Sequence, residues 1–267
     1  MIPYFQYNTI VFGPLTLQVW GLWVSLGFVV AAVLAYQLAK RYVLSEQVML
    51  DLAVWSVVGG FIGARAFHIL FYEPAYYYQY PGELLKFWHG GASSLGGFFG
   101  AAVAVYLFSK VRHFTFKELL PYFDIGFLSF WLGWAIGRLG CFFIHDHPGR
   151  LTNSFLAVNF PSGPRFDLGF LEVIISAGVF IITALLFKYL IKKGWGHVAG
   201  YSLALYAVAR FFLDFLRATD LPFSDPRYAG LTPAQWGMTS ILAVLTMLLI
   251  WRKIGKQKIN GEVAYSP

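Results

Sequence analysis

The sequence predicts an all-α polytopic membrane protein of about seven transmembrane helices. Three observations lead there. The first is composition: 58% of the 267 residues are hydrophobic and only 12% are charged. That is about half the charge of a soluble domain. The second is length: seven apolar stretches approach the roughly 20 residues that a spanning helix needs. Little chain remains outside them, so the expected organisation is a single integral membrane domain, residues 1–267. The third is where the charge sits. The formal charge of +7 resembles a nucleic-acid signal until it is mapped. The Lys and Arg residues fall between apolar stretches, as topology determinants do, so no nucleic-acid partner is expected. Membrane lipids are the expected surroundings.

In chain order the spans are expected at about 16–39, 49–72, 92–109, 119–138, 168–190, 197–217 and 234–251. Lys40 and Arg41 end the first. Lys110, Arg112 and Lys117 follow the third. Lys188, Lys192 and Lys193 close the fifth, and Arg252, Lys253, Lys256 and Lys258 close the seventh. On an alternating chain these residues share one side, and the positive-inside rule makes that side the cytoplasm. The N-terminus is then outside and the C-terminus inside, with a cytoplasmic tail at about 252–267. No cleavable signal peptide is expected, because the start lacks a basic segment and a small-residue cleavage site. The outer loops are expected at about 73–91, 139–167 and 218–233. The first carries Tyr76, Tyr77, Tyr78, Tyr80, Phe87 and Trp88, which fits an aromatic segment in the interface. The second, rich in Pro, Gly and polar residues, fits a small external cap.

Nine of the ten lysines lie on the cytoplasmic side, while seven of the ten arginines lie elsewhere. Charge alone does not separate the two residue types. Arginine presents a planar fork of donors suited to phosphate and carboxylate, and it stays ionised when partly desolvated. An arginine-rich outer half therefore points to anion chemistry there. Ionisable residues inside a span cost at least ~2.5 kcal/mol each, so those present usually serve a purpose. Arg65, Arg138, Glu172, Arg210, Asp214 and Arg217 all fall in the outer parts of their spans. Arg210 lies roughly 10 Å below the outer interface at 1.5 Å rise per residue. Arg210, Asp214 and Arg217 follow an i, i+4, i+7 spacing and share one helix face. A structural ion-pair network accounts for part of this set. Four arginines against two carboxylates leave positive charge over, which an apolar setting does not keep without a partner. A lipid phosphate would be that partner, with Arg138 and Arg210 as its first ligands.

Several stretches resemble the bacterial prolipoprotein diacylglyceryl transferases, in the same order over nearly the whole chain. They are Phe12-Gly13-Pro14 with Trp20-Gly21-Leu22, Gly63-Ala64-Arg65 with Phe71-Tyr72, and Trp88-His89-Gly90-Gly91 followed by Gly96-Gly97. Further along come Gly137-Arg138-Leu139-Gly140 with Gly149-Arg150, and the segment from Arg210 to Arg217. The resemblance implies transfer of a diacylglyceryl group from phosphatidylglycerol to the lipobox cysteine of a preprolipoprotein signal peptide. Glycerol phosphate would leave, at the outer face of the bacterial cytoplasmic (inner) membrane, with no metal or organic cofactor. It adds Arg65, Arg150, Gly96, Gly97, Glu172, Asp214 and Arg217 as expected substrate-binding residues. The chain also departs from the family. Leu95 stands where the family has a histidine before the glycine pair, and Trp20 where it has a tyrosine. The Asn-rich centre of the family signature reads Cys141-Phe142-Phe143-Ile144-His145-Asp146-His147-Pro148, and its His-Pro stretch reads Arg165-Phe166-Asp167-Leu168. The polar centre of this divergent branch has been rebuilt.

The implied reaction is attack by a thiolate on a glycerol carbon. A free cysteine has a pKa near ~8.5, so its ionisation must be assisted. His145, Asp146 and His147 are the expected catalytic cluster beside Arg138 and Arg210, since a histidine titrates near neutrality and a carboxylate can orient it. His89 is a further candidate base. A hydrogen-bonded external turn ending at Pro148-Gly149 accounts for the same residues. The His-x-His spacing with Asp146 or Asp167 also fits zinc. No third histidine lies nearby, so no metal is assigned, and Cys141 is read as packing. The competing class is a non-enzymatic lipid-binding or anion-transporting protein, since buried arginines also serve transport. Against it stand the lack of an internal repeat and of polar residues lining the inner half. An intramembrane serine protease would use Ser93 or Ser94, but no Gly-x-Ser-Gly pattern is present. Thioether formation from phosphatidylglycerol and a lipobox peptide separates these classes.

Overall fold

The structure is a computed structural model that describes residues 1–13, 15–86, 91, 93–222 and 224–263; Leu15, Leu85, Ser94 and residues 252–263 are described by backbone only. The expected Trp88 and His89 lie outside the described residues. The protein is an all-α polytopic membrane protein. A β-hairpin, β1 (Thr9–Phe12) and β2 (Leu15–Gln18), leads into α1 (Val19–Arg41), α2 (Glu46–Phe71) and a short α3 (Pro74–Gln79). Next come α4 (Ser94–Val111) and α5 (Phe116–Ile144). Strands β3 (Pro148–Leu151), β4 (Val158–Phe160) and β5 (Gly163–Asp167) form an antiparallel sheet in the order β3-β5-β4. Then α6 (Leu168–Lys192), α7 (His197–Leu213), a 3-10 turn (Asp214–Leu216) and α8 (Pro233–Val263) complete the chain. Six of these helices are long and apolar enough to cross a membrane; the expected third span is the shorter apolar helix α4.

Their surfaces are inverted relative to a soluble protein. Val54, Val58, Phe61 and Ile62 of α2 and Ile181 and Leu185 of α6 are exposed, while Glu172, Ser176, Thr183, Ser202, Arg210 and Asp214 are buried. Apolar side chains facing outward suit lipid, and polar groups gather where helices meet.

The chain divides within α1 and α5 into two compact units, residues 1–33 with 127–263, and residues 34–126. In the smaller unit α2 and α4 run antiparallel in close contact. A Cβ on Gly96 would lie 2.5 Å from the Gly63 carbonyl oxygen and 2.2 Å from Phe67 Cβ. Small residues permit this approach, which is how helices associate where lipid offers no hydrophobic drive. Gly96, expected to bind substrate, is thus also a helix-packing position, while a Cβ on Gly97 would meet its nearest neighbour, Gly60 O, only at 3.6 Å. Arg65, also expected to hold substrate, is a staple within this unit. Its Nε donates to Leu84 O (3.3 Å) and its Nη1 to Gly91 O (3.1 Å). Its Nη2 donates to Glu83 O (2.6 Å) and Lys86 O (3.2 Å). The guanidinium also lies 5.1 Å from the Tyr77 ring centre. A loop has otherwise unsatisfied carbonyls, and one buried guanidinium gathers four of them.

The larger unit packs α5, α6 and α7 around Trp131, Val179 and Tyr206. Helix α5 runs to Ile144, six residues beyond the expected end of the fourth span at 138. Arg138 thus sits inside the helix. The apolar run Cys141-Phe142-Phe143-Ile144 keeps the helix going, and His145, with φ of 52°, turns the chain out of it. The external cap consequently begins at residue 145. The first residues of the chain join it: Ile2 bridges Val158, and Tyr7 N donates to Phe143 O at 3.0 Å.

Candidate active site

The site lies within the larger unit. Helix α7 carries Tyr206 and Arg210 one turn apart on one face, and the 3-10 turn extends that face to Asp214. Asp167 starts α6 by accepting from Phe170 N (2.8 Å), a standard N-cap that places Glu172 on the second turn. Gly169 lets the start of α6 approach the end of α5, since a Cβ there would lie 2.9 Å from Phe142 N. That approach brings Arg138 and Cys141 beside α6.

Glu172 is fully buried and anchors the cluster. Its Oε1 lies 3.1 Å from Arg138 Nη2 and 3.5 Å from Arg210 Nε, and it accepts a hydrogen bond from the Tyr206 hydroxyl. Arg210 Nη1 donates to Asp214 Oδ1 at 2.5 Å. The same oxygen accepts from Arg217 Nε at 3.1 Å, and Thr232 Oγ1 donates to Oδ2. Arg217 Nη1 lies 2.5 Å from Asp225 Oδ2. The result is one chain of alternating charge from Arg138 to Asp225. Asp225 supplies a third carboxylate that the charge count over the spans omits. Arg138, Arg210 and Arg217 thus face Glu172, Asp214 and Asp225, and the expected positive excess is smaller than the spans alone suggest.

Arg138 differs from its neighbours. Its guanidinium lies 4.7 Å from the Trp134 ring centre, and Nη1 donates to Cys141 Sγ at 3.4 Å. Its Nε is buried and has no partner among the described residues. A buried donor without an acceptor costs about 1–3 kcal/mol, and an incoming anion would recover that cost.

The turn after α5 separates two histidines that the sequence groups together. His145 is buried, with Nδ1 2.6 Å from Asp167 Oδ2. Its ring stacks on Tyr4 at 5.0 Å and is boxed by Phe5, Phe142 and Phe160. That dyad braces the start of α6, so the structure puts His145 in the packing of the cap. Asp146 and His147 face the other way, with His147 Nε2 3.7 Å from Asp146 Oδ2. Burial pushes the His147 pKa down, while the nearby Asp146 charge opposes the shift. Burial likewise pushes the Asp146 carboxyl up, against the pull of His147 and Arg138. Potential ligand atoms of Cys141, Asp146 and His147 lie within 4.8 Å of one another.

Arg150 is exposed on β3, and none of the ion pairs described for the cluster includes it. Its neighbour Gly149 bridges Arg217, and a Cβ there would lie 2.7 Å from Leu216 O. Glycine at 149 lets β3 hold the 214–217 segment in place. Arg165 clamps the same sheet to the following loop. It donates to both Asp220 oxygens at 3.0 and 2.5 Å and to Gly149 O at 3.2 Å.

Tyr206, Cys141, Asp225 and Thr232 enter the site without having been expected there. Tyr206 is legible in hindsight, four residues before Arg210 on the same face. Thr232 with Gln235 forms a capping box at the start of α8. Thr232 N donates to Gln235 Oε1 (3.0 Å) and Gln235 N to Thr232 Oγ1 (3.2 Å). No local pattern marks Asp225.

Residues 8–252 match the family model described as prolipoprotein diacylglyceryl transferase. Among curated proteins, the phosphatidylglycerol–prolipoprotein diacylglyceryl transferase of Oleidesulfovibrio alaskensis is 34% identical over 246 residues, covering 88% of this chain and 89% of that protein. The protein of the same name from Nitrosomonas europaea is 30% identical over 256 residues, covering 93% and 90%. That from Finegoldia magna is 30% identical over 244 residues, covering 91% and 93%.

Proposed function

Because this chain belongs to the prolipoprotein diacylglyceryl transferase family, we propose that it transfers a diacylglyceryl group from phosphatidylglycerol to the lipobox cysteine of a prolipoprotein. The observation that carries this reading is the sharing of buried Glu172 by Arg138 and Arg210. Two guanidiniums held at one depth suit a phosphodiester that acquires charge as it leaves. Donors placed in advance, in a low-dielectric setting, stabilise that charge without reorganising. Arg138 is the principal phosphate ligand, with its unpartnered Nε, and Arg210 the second. Glu172, Asp214 and Tyr206 hold both guanidiniums in position. Arg217 closes the far end.

The substrate thiolate attacks the glyceryl carbon that bears the phosphate. A carbon–sulfur bond forms, the carbon–oxygen bond breaks, and glycerol phosphate departs with the electron pair. Leu95 offers no proton acceptor, and in this reading the Asp146–His147 turn, next to the Arg138 end of α5, activates the thiol. Gly96, Gly97, Arg65 and His145 support the scaffold. The basic ends of the first, third, fifth and seventh spans favour a cytoplasmic C-terminus. They set the arginine cluster toward the outer face of the bacterial inner membrane, where lipoprotein precursors emerge.

The test supplies mixed micelles of phosphatidylglycerol with a lipobox peptide and follows the peptide by mass spectrometry. The expected result is a thioether-linked diacylglyceryl adduct with release of glycerol phosphate. A peptide recovered unmodified, with the purified chain folded, would defeat the reading.

A further inference from the structure

We propose that Thr232, held by Gln235, is a positioning residue for the transfer: its hydroxyl fixes the Asp214 carboxylate in the orientation that sets Arg210 and Arg217. The proposal rests on the transferase reading and extends its chain of charges to the start of α8.

The two residues are first of all a helix cap. Thr232-Pro233-Ala234-Gln235 has the order of a capping box, with proline at the first helical position. Thr232 N donates to Gln235 Oε1 at 3.0 Å, and Gln235 N to Thr232 Oγ1 at 3.2 Å. A cap at a membrane surface needs no burial, because water can satisfy the first N–H groups of a helix. Thr232 and Gln235 are nonetheless 1% and 0% exposed, on a helix whose Val244, Met247, Leu248 and Ile250 face outward.

Capping leaves a donor free on each side chain, and both donors reach back to the α7 end. A threonine hydroxyl has one proton and two lone pairs. One lone pair takes Gln235 N, and the proton goes to Asp214 Oδ2. Gln235 Nε2 donates to Phe211 O, a last-turn carbonyl of α7, at 3.1 Å. The residues that generally suit these positions include Asp for the cap and Glu for its partner. Asp at 232 would set a carboxylate against Asp214, and an ionised Glu at 235 would have no proton for Phe211 O. At both positions the chain carries the capping residue that can also donate.

The Asp214 side chain explains what the donation does. Its Oδ1 accepts from Arg210 Nη1 at 2.5 Å and from Arg217 Nε at 3.1 Å. The last torsion of an aspartate is broad and roughly two-fold, so bonds to one oxygen leave the carboxylate plane loosely set. A donor on Oδ2 fixes that plane and holds Oδ1 where both guanidiniums reach it. Arg210 is then turned by Asp214 on one side and by Glu172 Oε1, 3.5 Å from its Nε, on the other. A group that stabilises a transition state must stay within about 0.5 Å of its productive place. Thr232 therefore acts at one remove, through Asp214, on the second phosphate ligand.

The experiment uses the full chain in detergent with phosphatidylglycerol and a lipobox peptide. Thr232→Val keeps the shape and loses the hydroxyl. It should lower kcat by roughly 10- to 10²-fold, since a misplacement of about 1 Å costs up to that much. KM for the lipid should stay within about twofold, as when an interaction is made only in the transition state. Thr232→Ser returns the hydroxyl and should recover most of the rate. Thr232→Gly, a second variant should the first fail to fold, costs a helix cap little and should lose as much turnover as Thr232→Val. In an Asp214→Asn background Thr232→Val should add little further loss, because the two side chains act as a unit. A second readout needs no turnover. Arg217 Nε donates to Asp214 Oδ1, so its Nε–H resonance in ¹⁵N-arginine-labelled chain reports on the carboxylate. Its absence from Arg217→Lys assigns it. It should move in Thr232→Val and Thr232→Gly and stay in place in Thr232→Ser. An unmoved resonance in folded Thr232→Val overturns the proposal. So does a lowered melting temperature with full kcat, the behaviour of a cap alone, and that result leaves the transferase reading standing. A resonance that moves as expected, with no thioether product from the wild-type chain, supports the Thr232–Asp214 link and overturns the transferase reading.

Discussion

At the scale of single residues, the arginine cluster makes the sharpest demands. Arg138→Lys and Arg210→Lys keep the charge and lose the planar fork. Each should lower transferase turnover by about 10²–10³-fold with the protein still inserted, the cost typical of removing a transition-state donor. Arg138→Lys should be the more severe, because Lys has no counterpart of the unpartnered Nε. Near-normal rates in both variants would end the phosphate-ligand assignment. The two histidines should separate just as cleanly. His147→Ala should lower product formation most at neutral pH, by roughly 10²-fold. It should recover in part as pH approaches the thiol pKa near ~8.5, where solvent supplies the thiolate. His145→Ala should lower thermal stability and leave the pH profile unchanged, because its Nδ1 serves Asp167 and its ring serves the cap. A pH–rate profile for each variant decides this, and identical profiles for the two would refute the division.

At the scale of elements, the glycines of α4 offer a paired test. A Cβ on Gly96 would lie 2.5 Å from the Gly63 carbonyl oxygen, while one on Gly97 finds its nearest neighbour at 3.6 Å. Gly96→Ala must push α2 and α4 apart and should cost about 1–3 kcal/mol. Gly97→Ala should be tolerated. Thermal unfolding in detergent compares them, and equal melting temperatures would contradict the described packing. The external sheet carries its own titratable clamp. Arg165 beside Asp220 holds that carboxyl below the usual carboxylate range. A depressed pKa contributes stability that is present above the unfolded value, about 3.9, and is lost as pH falls through the folded one. Limited proteolysis of the 145–167 segment should therefore change little from neutral pH to about 5 and rise below about 4. Asp220→Asn should cleave faster at neutral pH and lose that acid sensitivity. Unchanged cleavage of the variant across this range would show that the clamp does not hold the sheet.

At the scale of the whole molecule, orientation decides whether the cluster faces the correct leaflet. Cysteines placed at exposed positions of 145–167 should react with a membrane-impermeant reagent in intact cells. Those placed after Arg252 should react only after permeabilisation. The positive-inside rule, applied to the lysine-rich ends of alternate spans, predicts this pattern, and the reverse labelling would put the arginines in the inner leaflet.

The sequence by itself determined much of this protein: its helices, their apolar character and the one-turn spacing of Arg210 and Asp214, although α7 ends at Leu213 and Arg217 reaches Asp214 from the end of a 3-10 turn and not from the same helix face. Those properties follow from composition and from a 3.6-residue repeat, which are local. Even the α5 boundary was legible in the apolar run through Ile144, although the last helical turns were expected to be loop. Contacts between elements are not local, and the tertiary structure decided them. It turned Arg65 to four loop carbonyls, because a saturated guanidinium and a free one read alike in a sequence. It sent His145 to Asp167 and His147 toward Arg138, although one residue separates the two, because the left-handed backbone at His145 reverses the direction of the chain. It brought Cys141 to Arg138 and to the Asp146–His147 turn, because the helix continued past the arginine and carried the thiol with it.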